Sequence, residues 1–140
     1  IHTNCLFTLK HAMTTPLIAF QSTTVEKLAD DLYKVSAIIA NEGFLPTHLT
    51  QRALDHGTAS PIKIELRGEN AEIVMGKQHQ DIGHLAGRDE RTATWSPWLR
   101  EWSDTKRRVE WLVRAQENTK LQISASTQKA GTKQVEVTLS

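Results

Sequence analysis

The sequence predicts an α+β fold: an antiparallel sheet of two β-hairpins with two main helices packed on one face. Three observations predict it. Residues 24–42 and 97–118 repeat apolar side chains at three- and four-residue spacing, the period of a helix with one buried face. Residues 62–75 and 121–139 alternate apolar with polar, the period of a strand wetted on one side. Gly68-Glu69-Asn70 and Lys129-Ala130-Gly131-Thr132 are turn sequences that divide each alternating run into two arms. A short N-terminal apolar run supplies a fifth strand, so the order is roughly β-α-α-β-β-α-β-β.

Composition bounds the function classes. A chain of 140 residues suits a single domain and can bury most of its unfolded surface without metals or disulfides. Seventeen basic residues against sixteen acidic ones leave a formal charge of +1, so no global field draws the chain to nucleic acid or membrane. An electrostatic partner would have to be met by a local patch. The single cysteine, Cys5, excludes an internal disulfide and offers no zinc-ligand pair, which fits a reducing, cytoplasmic setting. No apolar run approaches the ~20 residues that cross a bilayer, so no membrane partner is expected.

In chain order, residues 1–12 begin without methionine, and Met13 then opens a stretch that reads like a natural start. Cys5 to Leu9 is too short for a secretory core and lacks a basic segment before it. The expectation is a leader of artificial or upstream-translated origin over 1–12 and one α+β domain over 13–140. Pro16 to Phe20 reads as an edge strand, since proline cannot donate a ladder bond.

Thr23 followed by Glu26 is a capping box for the helix 24–42. Val25, Leu28, Leu32, Val35 and Ile39 form its stripe, and Gly43 closes it. After the corner at Phe44-Leu45-Pro46, Thr47 starts a short second helix that Gly57 ends. Two helices joined by a turn raise the idea of a helix-turn-helix reader, but the second offers only Gln51 and Arg52 to bases and no third helix follows. Ile62, Ile64 and Leu66 form one arm of the first hairpin; Ala71, Ile73 and Met75 form the other. Residues 77–93 have no sustained period, with Asp81 to Leu85 as a candidate helical turn. Ser96 caps the helix 97–118, and Pro97 occupies its first turn. Leu121, Ile123 and Ala125 then face Val135, Val137 and Leu139 across the last hairpin.

The helix 97–118 carries the most distinctive chemistry. Stepping about 100° per residue puts Trp98, Trp102, Val109, Leu112 and Val113 on a core face. Arg100, Arg107, Trp111 and Arg114 fall opposite, an aromatic ring amid three guanidinium groups. Such a stripe suits a protein hot spot, where Trp and Arg are enriched. It could also stack a base while the arginines meet phosphates, a reading that the near-neutral charge disfavours. The structural alternative is a Trp111 covered by the chain itself, by the leader or the 77–93 loop. Trp95, Trp98 and Trp102 could line a small-ligand pocket, or simply fill the core.

Other constellations are weaker. His79, Asp81 and His84 are metal-ligand types in a loop whose spacing matches no known motif, so no metal and no cofactor are expected. His48 and His56 lie two helical turns apart without touching. No serine sits in a nucleophile turn and no glycine-rich phosphate loop follows a strand, so a catalytic role is disfavoured. Lys63, Glu65, Arg67, Glu72, Gln122, Ser124, Ser126, Gln134, Glu136 and Thr138 make one sheet face polar. Strands bearing such side chains can pair edge to edge between subunits, and Leu139 near the end marks the last strand as a candidate edge. The expected function is a small, non-catalytic binding or accessory protein. It would act through a protein–protein interface, with itself as the first candidate partner. Nucleic-acid binding through the Arg/Trp face is the second reading, and a tryptophan-lined ligand pocket the third.

Overall fold

The fold is seen in a computed structural model, which describes residues 2–87 and 105–140. In chain order the elements are α1 (His2–Ala12), β1 (Ile18–Ala29), β2 (Leu32–Asn41), α2 (Gln51–Asp55), β3 (Lys63–Gly68), β4 (Glu72–Met75), β5 (His79–Asp81), β6 (Lys106–Arg114), β7 (Lys120–Thr127) and β8 (Gly131–Thr138). The strands form two four-stranded antiparallel sheets, in the orders β1-β2-β6-β4 and β5-β3-β7-β8. Both contribute to one apolar core, and the edge strands β1 and β8 of the two sheets lie beside each other.

This overturns the α+β expectation. No main helix occupies 24–42; that stretch is most of a β-hairpin, β1 turning into β2 at Asp30-Asp31. Tyr33, Val35, Ala37 and Ile39 are all sealed from solvent at period 2. The helical stripe in the sequence was a coincidence of spacing, since its members Leu28 and Leu32 are exposed and half-buried respectively. Branched Val35, Ile38 and Ile39 suit the pleated surface better than a helix. The helix 97–118 is corrected in the same way over its described part. Residues 106–114 are strand β6, whose Val109, Trp111 and Val113 point inward in alternation. Residues 97–104 lie outside the described residues.

The first predicted hairpin is also corrected. β3 and β4 belong to different sheets: Ile64 and Leu66 lie beside Ala125 and Ile123 of β7, whereas Ile73 lies beside Val113 of β6. The turn between them, with Asn70 at φ 57°, swings the chain from one sheet to the other. Alternation survives because it reports burial on one side, whichever strand lies alongside. The last hairpin, β7 with β8, forms as the alternation predicts. So does the edge position of the N-terminal strand, as the start of β1. The short helix is α2; Thr50, three residues later than Thr47, caps it through Ala53 N–H. Asp81 to Leu85 holds no helical turn.

A buried seam closes one end of the sandwich. Asn41 is almost wholly buried and meets all its hydrogen-bonding demands. Its Oδ1 accepts from the amides of Leu17 and Gly43, each at 3.0 Å. Its Nδ2 donates to the carbonyls of Leu45 at 2.8 Å and Ala86 at 3.2 Å. Thr47 and Leu85 add a reciprocal pair, Thr47 N–H to the Leu85 carbonyl and Leu85 N–H to Thr47 Oγ1. Gly87 is required here because a Cβ would collide with the Phe44 carbonyl oxygen.

Candidate protein interface

Of the four tryptophan- and arginine-based candidates on 97–118, the three that are described, Arg107, Trp111 and Arg114, do not form one patch. Trp111 is in the core at 1 % exposure, its indole N–H donating to the Lys77 carbonyl at 3.0 Å. Gly76, at φ 102°, lets the chain close over the indole; a Cβ there would sit 2.8 Å from Trp111 Cδ1. The ring therefore has no surface to offer a partner. Arg107 and Arg114 are exposed but lie at positions of opposite parity on β6, so they cannot share a stripe. Arg114 holds Asp31 at 3.3 Å and Glu72 at 3.6 Å, linking the β1–β2 turn to β4. Arg100 and the pocket candidates Trp95, Trp98 and Trp102 lie outside the described residues.

The histidines regroup. His79 lies 3.8 Å from Glu65, whose carboxyl Arg67 holds below its usual range. His84 turns instead toward His48, ring centroids 5.5 Å apart and nearly perpendicular. Among the described residues no three ligand-type side chains converge. Burial lowers the pKa of His48, and burial together with His48 lowers that of His84. Both Nδ1 atoms are buried without a hydrogen-bond partner among the described residues. The spacing of these two residues carried no sign of the pairing, because two loops far apart in sequence bring them together.

What remains for recognition is the set of sheet edges. Each edge exposes backbone donors and acceptors that another strand can read. Among the described residues, three of the four carry features that hinder such pairing. β1 is broken by irregularities between Phe20 and Ser22 and between Lys27 and Ala29. β4 and β5 are only four and three residues long. β8 differs: it runs in unbroken register with β7 from Lys120↔Thr138 to Thr127↔Gly131 and contains no proline.

The hydrogen-bond phase of β8 follows from its end. Leu139 N–H donates to the Thr119 carbonyl at 3.0 Å, and the Leu139 carbonyl accepts from Asn118 N–H at 2.7 Å. The odd-numbered positions thus bond toward β7, and alternation directs the backbone groups of Thr132, Gln134, Glu136 and Thr138 away from it. Those four side chains are exposed on the outer sheet face, while Val135 and Val137 lean on the core. Gln134 and Thr132 meet Gln122 and Ser126 of β7, at 3.1 and 3.3 Å. The polar face foreseen from the sequence is thus the outer face of this sheet, apart from Glu72, which belongs to the other.

A family model matches residues 17–138, from just before β1 to the last residue of β8. The chain belongs to that family, described as Domain of unknown function (DUF8731). The family region coincides with the sandwich, and α1 precedes it. No curated protein matches the chain. Among the described residues no helix is long and apolar enough to cross a membrane.

Proposed function

We propose that this family's sandwich is a non-catalytic binding module, and that it associates with a second copy of itself through the side of β8 that, among the described residues, pairs with no strand of its own sheet. The observation that carries this reading is the contrast between edges. β1, β4 and β5 are bulged or short, while β8 is long and regular, and alternation turns four of its backbone sets away from β7. Its two charges, Lys133 and Glu136, are of opposite sign and stand on opposite sides of the strand, so a second β8 meets no single-sign field. Pairing of this kind buries little area and belongs with the weaker associations.

Sedimentation over a micromolar to submillimolar range tests it, with Gln134→Pro as the variant. Position 134 directs its N–H away from β7, so proline removes an edge donor and leaves the ladder to β7 intact. A wild-type dimer that becomes a folded monomer in the variant is the expected result. A wild-type chain that stays monomeric throughout the range would overturn the reading.

A further inference from the structure

We infer that the gap between the two sheets beside the β3–β4 crossing is a binding site for a small, uncharged, largely apolar molecule. It is a different place from the β8 side, and it stands or falls without the self-association proposed above. The chain makes this gap by changing sheets twice. It leaves β3 at Gly68, crosses to β4 through 69–71, and returns to β5 through 76–78. The two crossings frame a cavity of about 360 Å³. That lies within the roughly 300–1,000 Å³ range of small-molecule sites.

The walls come from both sheets: Leu66 and Leu121 from one, Ile73 and Val113 from the other. Leu66, Leu121 and Val113 are core residues, so a guest here would extend the core. Gly68, Gly76 and Gln78 also line the cavity and are exposed, which leaves a way in. Packing enforces both glycines: a Cβ at Gly68 would collide with the Leu121 side chain, and one at Gly76 with the Trp111 ring. They present bare backbone to the cavity, as glycines in strands do where something else must approach closely. Gln78 is held through its carbonyl, which accepts from Leu66 N–H at 3.0 Å, so its carboxamide is left for a guest.

The lining also selects by charge. None of its residues is ionisable, whereas the adjoining clefts carry Lys120 and Glu136 in one case and Glu72 and Arg114 in the other. An ion entering the gap would shed water and meet no counter-charge. An apolar body with one hydroxyl or amide would shed little and find peptide groups and Gln78.

The experiment is an NMR titration of the full chain with naphthol, a neutral aromatic probe bearing one hydroxyl, and with naphthoate, its anionic counterpart. Naphthol should saturably shift the methyl signals of Leu66, Ile73 and Val113 and the indole N–H of Trp111. Naphthoate should bind about tenfold more weakly or worse. Ala71→Leu places a larger side chain in the cavity and should weaken naphthol about tenfold or more. Gln78→Leu, at an exposed position, decides the matter if Ala71→Leu does not fold, and should weaken naphthol by about two- to tenfold. No saturable binding overturns the site, and so does binding that leaves those signals unmoved or survives unchanged in the folded variants. Equal affinity for naphthoate overturns the ligand class.

Discussion

The indole N–H of Trp111 and the carbonyl of Lys77 form a 3.0 Å hydrogen bond that ties the centre of β6 to the segment following β4. The same indole lies beneath Gly76 and within the shared core of the two sheets. A ring held on every side is a packing element, and its removal should act on stability.

Trp111→Ala should therefore lower the unfolding free energy by about 3–5 kcal/mol, the range for a fully buried large aromatic. Trp111→Phe should cost less, yet still leave the Lys77 carbonyl without its donor. Urea denaturation midpoints of the two variants check this. An unchanged midpoint for Trp111→Ala would mean that the ring is not in the core.

Asn41 gives a sharper test of the seam. Leucine is close in size but restores none of four hydrogen bonds, so Asn41→Leu should destabilise by about 2–4 kcal/mol through the orphaned backbone groups. Asn41→Asp keeps both acceptor contacts and turns a carboxylate oxygen toward the carbonyls of Leu45 and Ala86, where the amide donated. It should also destabilise, and less so in acid, where a protonated carboxyl regains one donor. Hydrogen exchange at Leu17, Gly43 and Leu85 should quicken in either variant.

His48 and His84 give the fold a pH dependence with a definite sign. Both have folded pKa values below the ordinary 6.5, chiefly through burial. Between the folded values and 6.5 the unfolded chain binds more protons than the folded one, so stability rises with pH there. Their contribution is fully present above about 6.5 and is lost as pH falls below it. Thermal melts from pH 7.5 downward should show the decline, and the double variant His48→Gln/His84→Gln should flatten that part of the profile.

Arg114 should matter little. Its bridges to Asp31 and Glu72 join side chains that are all more than half exposed, and such pairs contribute less than about 1 kcal/mol. Arg114→Ala should shift the urea midpoint only slightly, and less still in high salt.

Legibility of the fold followed which signal was unambiguous. β3 and β7 alternate strictly, and their inward residues Ile64, Leu66, Leu121, Ile123 and Ala125 are all buried as that pattern requires. On β1 and β2 the apolar residues are so many that a helical subset could be drawn through them, from Val25 to Ile39. Adjacent Ile38-Ile39-Ala40 obscured the period, because Ala40 on the outer face is buried as well. On β6 the three inward residues Val109, Trp111 and Val113 were divided between two supposed helix faces, which put Trp111 outside. The partner of a strand was less legible than its face. Nothing in the run 62–75 states that a turn of Glu69, Asn70 and Ala71 carries the chain into a different sheet. For the interface, the polar character of β7 and β8 and the edge position of the last strand were readable; the contrast with β1, β4 and β5 needed the pairing.

The alternation of the chain between sheets governs how the molecule can be assembled in time. β2 must wait for β6 to find its second neighbour, and the Ser36–Glu110 contact between them spans 74 positions. β3 must likewise wait for β7. Local hairpin closure therefore completes neither sheet, and the costly loop closures come before the contacts that reward them. Folding should be a single slow event on the millisecond-to-second scale. A chain emerging from synthesis would hold its first hairpin exposed until residues beyond Arg114 arrive to cover it.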